Sequence, residues 1–272
     1  MTRVGYLGPE GSFSEEAARK ILADEYVPFS TIPKLLKAFW NGEIDKAVLP
    51  IENSIEGTVV LAVDKLINGN GNSFVIVGEI KLPIIQNLIG MDCEVSEIET
   101  VGSHPQALAQ CANFTEKLGI RTESFDSTSV AVEQVAKKQN NSFAAIGTKR
   151  AAEIYGLKVI RKNIQDSDNN VTRFLVLGHE VNVQTGVDKT SIIFELNNRS
   201  GALAVVLIPL LLLRINMTQI ISRPSKKVLG EYVFWIDFDG HQKENKIKIA
   251  LWIIKKITKF FRNLGSYPKA EM

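Results

Sequence analysis

Apolar and polar positions along this chain follow two patterns in turn. From residue 4 to about residue 178, short continuous apolar runs alternate with segments whose apolar residues recur every three to four positions. That alternation predicts buried strands exchanging with amphipathic helices. Strands are expected at 4–7, 47–51, 73–83, 100–102, 122–125, 142–146 and 173–177, with another beginning at 87–90. Helices are expected at 13–23, 33–40, 59–67, 105–118, 130–138 and 149–155. The repeated strand-loop-helix order predicts an α/β fold with mainly parallel sheets and helices on both faces. After a polar stretch from His179 to Asp188 the pattern changes. A strand at 190–196, a helix at 201–214, strands at 215–222 and 231–238, a helix at 243–260 and a short strand at 263–267 give the β-α-β-β-α-β order of a ferredoxin-like module. Two domains follow, one over 1–180 and one over 190–268.

The polar clusters of the first domain share a position: those at 8–14, 52–54, 103–110 and 126–129, and Gly147-Thr148, each come directly after a predicted strand. Open α/β sheets bind ligands at such strand ends, where hydroxyls, amides and helix N-termini suit a small anion. Ser12 followed by Glu15 is a capping-box pattern at the start of a helix. The glycines at 5, 8 and 11 do not have dinucleotide-fold spacing, which sets aside a nicotinamide cofactor. Glu52, Asn53 and Ser54 end one strand. Ser103 is expected to cap a helix that carries Pro105 in its first turn and Gln106 and Gln110 on one side. His104 is either a proton carrier or a hydrogen-bonded structural histidine. Thr172 and Arg173 stand where the loop 166–170 enters a strand, a junction that holds polar side chains on rigid backbone. Strict alternation would send those two side chains to opposite faces, so both line a cleft only if Thr172 still belongs to the loop.

Composition narrows the picture. With 272 residues and 45% hydrophobic residues, the chain has material for two cores. A net charge of +2 from 32 basic and 30 acidic residues calls for neither nucleic acid nor an anionic membrane. The two cysteines, Cys93 and Cys111, have no metal spacing and read as reduced core residues, so no metal is expected. The apolar run 202–213 is interrupted by Pro209 and is too short to span a membrane. The opening residues carry no basic-then-apolar pattern, and a cytoplasmic location is expected.

The motifs G-P-E-G-S-F-S at 8–14, L-P-I-E-N-S-I-E-G-T at 49–58, S-H-P-Q-A-L-A-Q-C at 103–111, D-S-T-S at 126–129 and D-N-N-V-T-R-F at 168–174 resemble, in order, those of the prephenate dehydratase family. The resemblance implies a cofactor-free hydro-lyase that converts prephenate to phenylpyruvate in phenylalanine biosynthesis. It implies a two-lobed catalytic domain like type II periplasmic binding proteins, followed by a regulatory ACT domain, in a homodimer or homotetramer. Thr172, Glu52, Asn53, Ser103 and Gln110 then match active-site positions, with Arg173, Thr148, Ser127, Ser12 and His104 as further substrate contacts. Effector contacts are expected from Gly201, Ala202, Leu203, Ser222, Arg223 and Pro224. Two departures bear on phenylalanine feedback: Ile221 stands where the family has a glutamate, and Pro209 lies inside the first helix of the second domain. Both suggest weakened feedback with a retained pairing surface. The alternatives are an arogenate dehydratase and a non-catalytic module that binds an amino acid or organic acid.

Overall fold

The computed structural model describes residues 1–69 and 74–271. The chain forms two compact units: Met1–Val59 with Lys81–Phe174, and Val60–Ile80 with the chain from Leu175 onward.

The first unit opens with β1 (Arg3–Leu7), whose inner residues Val4 and Tyr6 are buried. It leads through the glycine loop into α1 (Phe13–Ala18). This helix ends five residues before the expected Ala23. Leu22 is fully exposed, so a longer helix would have had nothing to pack against. The chain turns instead into β2 (Glu25–Phe29), an edge strand whose proline, Pro28, disguises it in the sequence; edges tolerate a missing N–H donor. Helix α2 (Ile32–Trp40) starts at Thr31, whose hydroxyl accepts from the Lys34 N–H, and it buries Leu35, Leu36 and Phe39. Strand β3 (Lys46–Asn53) pairs parallel to β1, as β2 does on the other side. The short β4 (Gly57–Thr58) folds back antiparallel on β3.

Helix α3 (Val60–Asn68) and strand β5 (Val75–Pro83) follow; the expected strand start at Ser73 lies outside the described residues. A second sheet is then built from β6 (Asn87–Gly90), β7 (Thr100–Ser103), β8 (Arg121–Ser124), β9 (Phe143–Gly147) and β10 (Lys158–Arg161). Its order is β10-β6-β9-β7-β8. Strands β9, β7 and β8 are parallel, whereas β6 runs against β9 and β10, so this sheet is mixed rather than wholly parallel. Alternate residues face opposite cores. Leu88, Val101, Ala144 and Ile146 pack with Ala107 of α4 (Pro105–Ala109) and with Cys111. Ile89, Phe143 and Ala145 pack under α6 (Thr128–Lys138) and α7 (Lys149–Tyr155). Burial on both faces is why these strands read as unbroken apolar runs. The expected helix 105–118 is two helices, α4 and α5 (Ala112–Lys117), because Cys111 leaves helical geometry at φ −123° and ψ 22°. Strand β11 (Val171–Gly178) returns to the first sheet, whose order is β2-β1-β3-β11-β5.

In the second unit, β12 (Asp188–Glu195), α8 (Ala202–Leu212), β13 (Met217–Pro224), β14 (Tyr232–Asp239), α9 (Asn245–Ile257) and β15 (Phe260–Pro268) form an antiparallel sheet in the order β13-β14-β12-β15. This is the ferredoxin-like topology that the order of elements predicts. Val206, Leu210, Ile247, Ala250 and Ile254 of the helices cover Ile192, Phe194, Ile236 and Phe238 of the sheet. The last helix stops at Ile257, because Lys259 already donates its N–H to Glu195 O and the nine-residue β15 begins at Phe260. Helix α8 runs unbroken through Pro209. Pro209 removes the N–H that would bond to Val205 O and weakens the helix there without ending it. No described helix is long and apolar enough to cross a membrane.

Candidate active site

A cavity of about 550 Å³ lies within the first unit, walled by the ends of β1, β3 and β11 and by the N-termini of α1, α4 and α6. Its polar wall includes Ser12, Asn53, Gln86, His104, Gln110, Ser127 and Thr172. The wall also carries the carboxylates of Glu56 and Asp126 and, among the described residues, no lysine or arginine, so an anion would be held by neutral donors and helix N-termini. No group of described His, Cys, Asp or Glu residues is placed to hold a metal ion.

The centre of the site is a hydrogen-bond relay from backbone to hydroxyl. Asn53, the last residue of β3, accepts through Oδ1 from the N–H groups of Ile55 (2.9 Å) and Glu56 (3.0 Å). Its amide nitrogen therefore points the other way and donates to Thr172 Oγ1 at 2.9 Å and to Asn170 Oδ1 at 2.7 Å. Thr172 accepts that bond, and its own proton has no acceptor among the described residues. The neighbouring Ser54 clamps the same loop: its hydroxyl donates to Asn169 O (2.7 Å) and accepts from Val171 N–H (2.9 Å).

Helix caps position the other wall residues. Ser12 accepts from the Glu15 N–H at 3.3 Å, and Ser127 from the Val130 N–H at 3.1 Å. His104, and not Ser103, caps α4: its Nδ1 accepts from the Gln106 N–H at 3.2 Å, which leaves the neutral ring with its proton on Nε2. Gln110 Oε1 accepts from Gln86 Nε2 at 3.2 Å, so the Gln110 amide nitrogen makes no hydrogen bond to another described residue.

Four residues expected at the site lie off the cavity wall. Ser103 finishes β7, fully buried, with its hydroxyl donating to Ile146 O at 2.7 Å. Thr148 caps α7 and donates to Gly11 O at 2.6 Å. Thr172 and Arg173 both belong to β11, so alternation sends them to opposite faces; Thr172 lines the cavity and Arg173 does not. Glu52 is registered with Thr58 on β4 and is likewise off the wall. Conversely, Gln86 carries no signal of its own in the sequence, and Asn170 is marked only by lying in the motif at 168–174, two residues before Thr172.

The glycine loop is held from below. Gly11 has φ +77°, and a Cβ there would stand 2.8 Å from the Ala151 Cβ. Glu15 accepts from the Gly11 N–H (2.5 Å), Arg19 (2.6 Å) and Arg150 (3.3 Å). Burial alone would raise its carboxyl, but the Gly11 and arginine hydrogen bonds overcome that and hold it below the usual range.

In the second unit, a smaller cavity of about 150 Å³ is lined by Asn198, Arg199, Ala202, Leu203, Glu231 and Phe234, among others. Of the expected effector contacts, Ala202 and Leu203 line it. Gly201 caps α8 at φ +74°. Ser222, Arg223 and Pro224 lie on β13, off its wall, and the Arg223 guanidinium is bound to Asp64 at 2.7 Å. Ile221 is buried opposite Trp235 and is also off the wall.

A family model described as prephenate dehydratase matches residues 4–182. The prephenate dehydratase of Methanocaldococcus jannaschii is 40% identical over 271 residues, covering 97% of each chain. The chloroplastic arogenate dehydratase/prephenate dehydratase 2 of Arabidopsis thaliana is 38% identical, over 98% of this chain and 72% of that one. The crystal structure of the prephenate dehydratase from Arthrobacter aurescens in complex with L-Phe superposes with a TM-score of 0.89 at 30% identity, over 98% of this chain and 90% of that one. These relatives, on the same α/β fold, define the class as an enzyme. The chain belongs to the prephenate dehydratase family.

Proposed function

We propose that this enzyme converts prephenate to phenylpyruvate, carbon dioxide and water in phenylalanine biosynthesis. The bond between the ring and its carboxylate breaks, and its electron pair enters the ring. The C–OH bond opposite breaks, and the departing hydroxide takes up one proton. Aromatisation drives the reaction, so the protein's task is to bind the dianion, align the two breaking bonds and assist the leaving oxygen. The main support is the relay at Thr172. The Thr172 oxygen accepts from Asn53, which leaves its hydrogen available as a donor to the leaving oxygen. His104, on the wall with its proton on Nε2, is better placed than Glu52 to supply the net proton. Ser127 and Gln110 are assigned to the carboxylates, with the N-terminus of α6 favouring negative charge, whereas the Ser12 hydroxyl donates to Leu7 O at 3.2 Å and supports the glycine loop. Ser103, Thr148 and Arg173 act by supporting the wall.

The second unit is assigned as an ACT domain, with the catalytic domain over 1–180 and the ACT domain over 190–268. Phenylalanine is the proposed effector, and the small cavity offers Glu231 for an ammonium, Arg199 for a carboxylate and Leu203 and Phe234 for a ring. Neither Pro209 nor Ile221 lines that cavity, so any weakening of feedback by these two residues would be indirect. The exposed apolar side chains of Leu211, Leu212 and Trp252 supply a surface for pairing subunits in a cytoplasmic homo-oligomer. Side-by-side turnover of prephenate and arogenate by the purified enzyme tests the substrate. Faster turnover of prephenate is expected, and a preference for arogenate would reassign it.

A further inference from the structure

We infer that Asn170 is a positioning residue: its side-chain carbonyl fixes the amide of Asn53, and through it directs the Thr172 hydroxyl towards the substrate. This rests on the role proposed for Thr172. The geometry leaves little choice of orientation. Two backbone N–H groups, those of Ile55 and Glu56, can bond only to an oxygen, so Asn53 cannot turn its amide over. The two hydrogens on Asn53 Nδ2 then need two acceptors, and they find Thr172 Oγ1 at 2.9 Å and Asn170 Oδ1 at 2.7 Å, with the Val171 carbonyl a more distant third at 3.5 Å. Asn170 must therefore show its oxygen to Asn53.

Asn170 is held for that purpose. It is 2% exposed, and its backbone carbonyl accepts from the Ile84 N–H at 2.8 Å. Its own amide nitrogen is buried and has no hydrogen-bond partner among the described residues. A buried donor left unmet is a cost. The residue keeps only one useful side-chain bond, the one accepted from Asn53, so that acceptor is what the position supplies. Without it, one Asn53 hydrogen is left with only the Val171 carbonyl, at 3.5 Å. The amide can then swing, and the Thr172 oxygen is free to turn its proton elsewhere.

The test compares Asn170→Ala and Asn170→Asp with wild type, alone and in a Thr172→Ala background. Asn170→Ala is expected to lower kcat by roughly tenfold to a hundredfold, the size of one lost buried hydrogen bond, with KM changed by less than about threefold. Asn170→Asp keeps an oxygen facing Asn53 in either protonation state and gives up only the unpartnered nitrogen, so it should recover most of kcat. With Thr172 already removed, Asn170→Ala should cost less than about threefold more, because its effect passes through that hydroxyl. A kcat for Asn170→Ala within about twofold of wild type, or an equal loss in both backgrounds, overturns the proposal. Should wild type fail to turn over prephenate, the substrate assignment falls on its own. Solvent exchange of the Asn53 side-chain amide protons, followed by NMR, still decides the positioning role. Faster exchange in Asn170→Ala than in wild type upholds it, and equal rates refute it.

Discussion

The two cavities of this molecule are built on opposite principles. The larger one is walled by strand ends and helix caps, and Ser12, Asn53, His104 and Ser127 on it are each bound to a backbone group, with Thr172 held in turn by Asn53. The smaller one sits beside a sheet whose stability comes from apolar layers, with Phe194, Ile236 and Phe238 under Val206, Leu210 and Ile254. Changes in the first region should therefore act on rate with little effect on stability, and changes in the second region's core the reverse.

The largest effect is expected from Thr172→Ala, which should lower kcat by roughly 10²–10⁴, the range for a positioned hydrogen-bonding or proton-transfer group, while leaving the melting temperature nearly unchanged. Thr172→Ser keeps the hydroxyl and should retain part of the activity. Steady-state kinetics beside a thermal melt separates rate from stability. Next, Phe238→Ala in the second unit empties a fully buried site and should cost about 3–5 kcal/mol of stability. Denaturant titration measures that loss, and kcat of the folded fraction should stay near wild type. A collapse of kcat without loss of stability would erase the contrast between the two regions.

A smaller effect is expected at Asp64 on α3. Its hydrogen bond from Arg223, helped by Lys226, outweighs burial and holds the carboxyl below the ordinary carboxylate range. A depressed carboxyl stabilises the fold at pH values above its unfolded pKa of about 4 and loses that contribution as pH falls through the lower folded value. Asp64→Asn should thus lower stability at neutral pH by on the order of 1 kcal/mol and flatten the acid limb of the pH–stability curve. Stability curves of both proteins between neutral and acid pH give the answer; parallel curves would remove the ion pair from the account. The smallest effect is at Cys111, whose thiol is pushed up to about 12 by burial and by Asp166. It should resist a thiol reagent at neutral pH until the protein unfolds, while the half-buried Cys93 reacts first.

How far the sequence could be read follows from the same physics. Strands buried on both faces, such as β7 and β9, announce themselves as apolar runs, and the βαββαβ order of the second unit was plain. The edge strands β2 and β10 were missed, because an edge needs little apolar pattern and β2 even carries Pro28. At the site, Thr172 and Asn53 were legible from their motifs. Ser103 and Thr148 have the right chemistry, but their hydroxyls are spent on carbonyls of Ile146 and Gly11. Those bonds depend on which strand lies next door, and no local pattern encodes that. Gln86 was hidden for the same reason: its partner Gln110 is 24 residues away.

A hydrogen-bonded cavity with no lysine or arginine among the described residues on its wall is held to carry out the dehydration without a cofactor. The most direct measurement is the phenylpyruvate absorbance of purified enzyme with prephenate and excess EDTA. Product formation well above the spontaneous rate, unchanged by the chelator, is the predicted result. A rate no greater than background, or one abolished by EDTA and restored by a divalent metal, would contradict it.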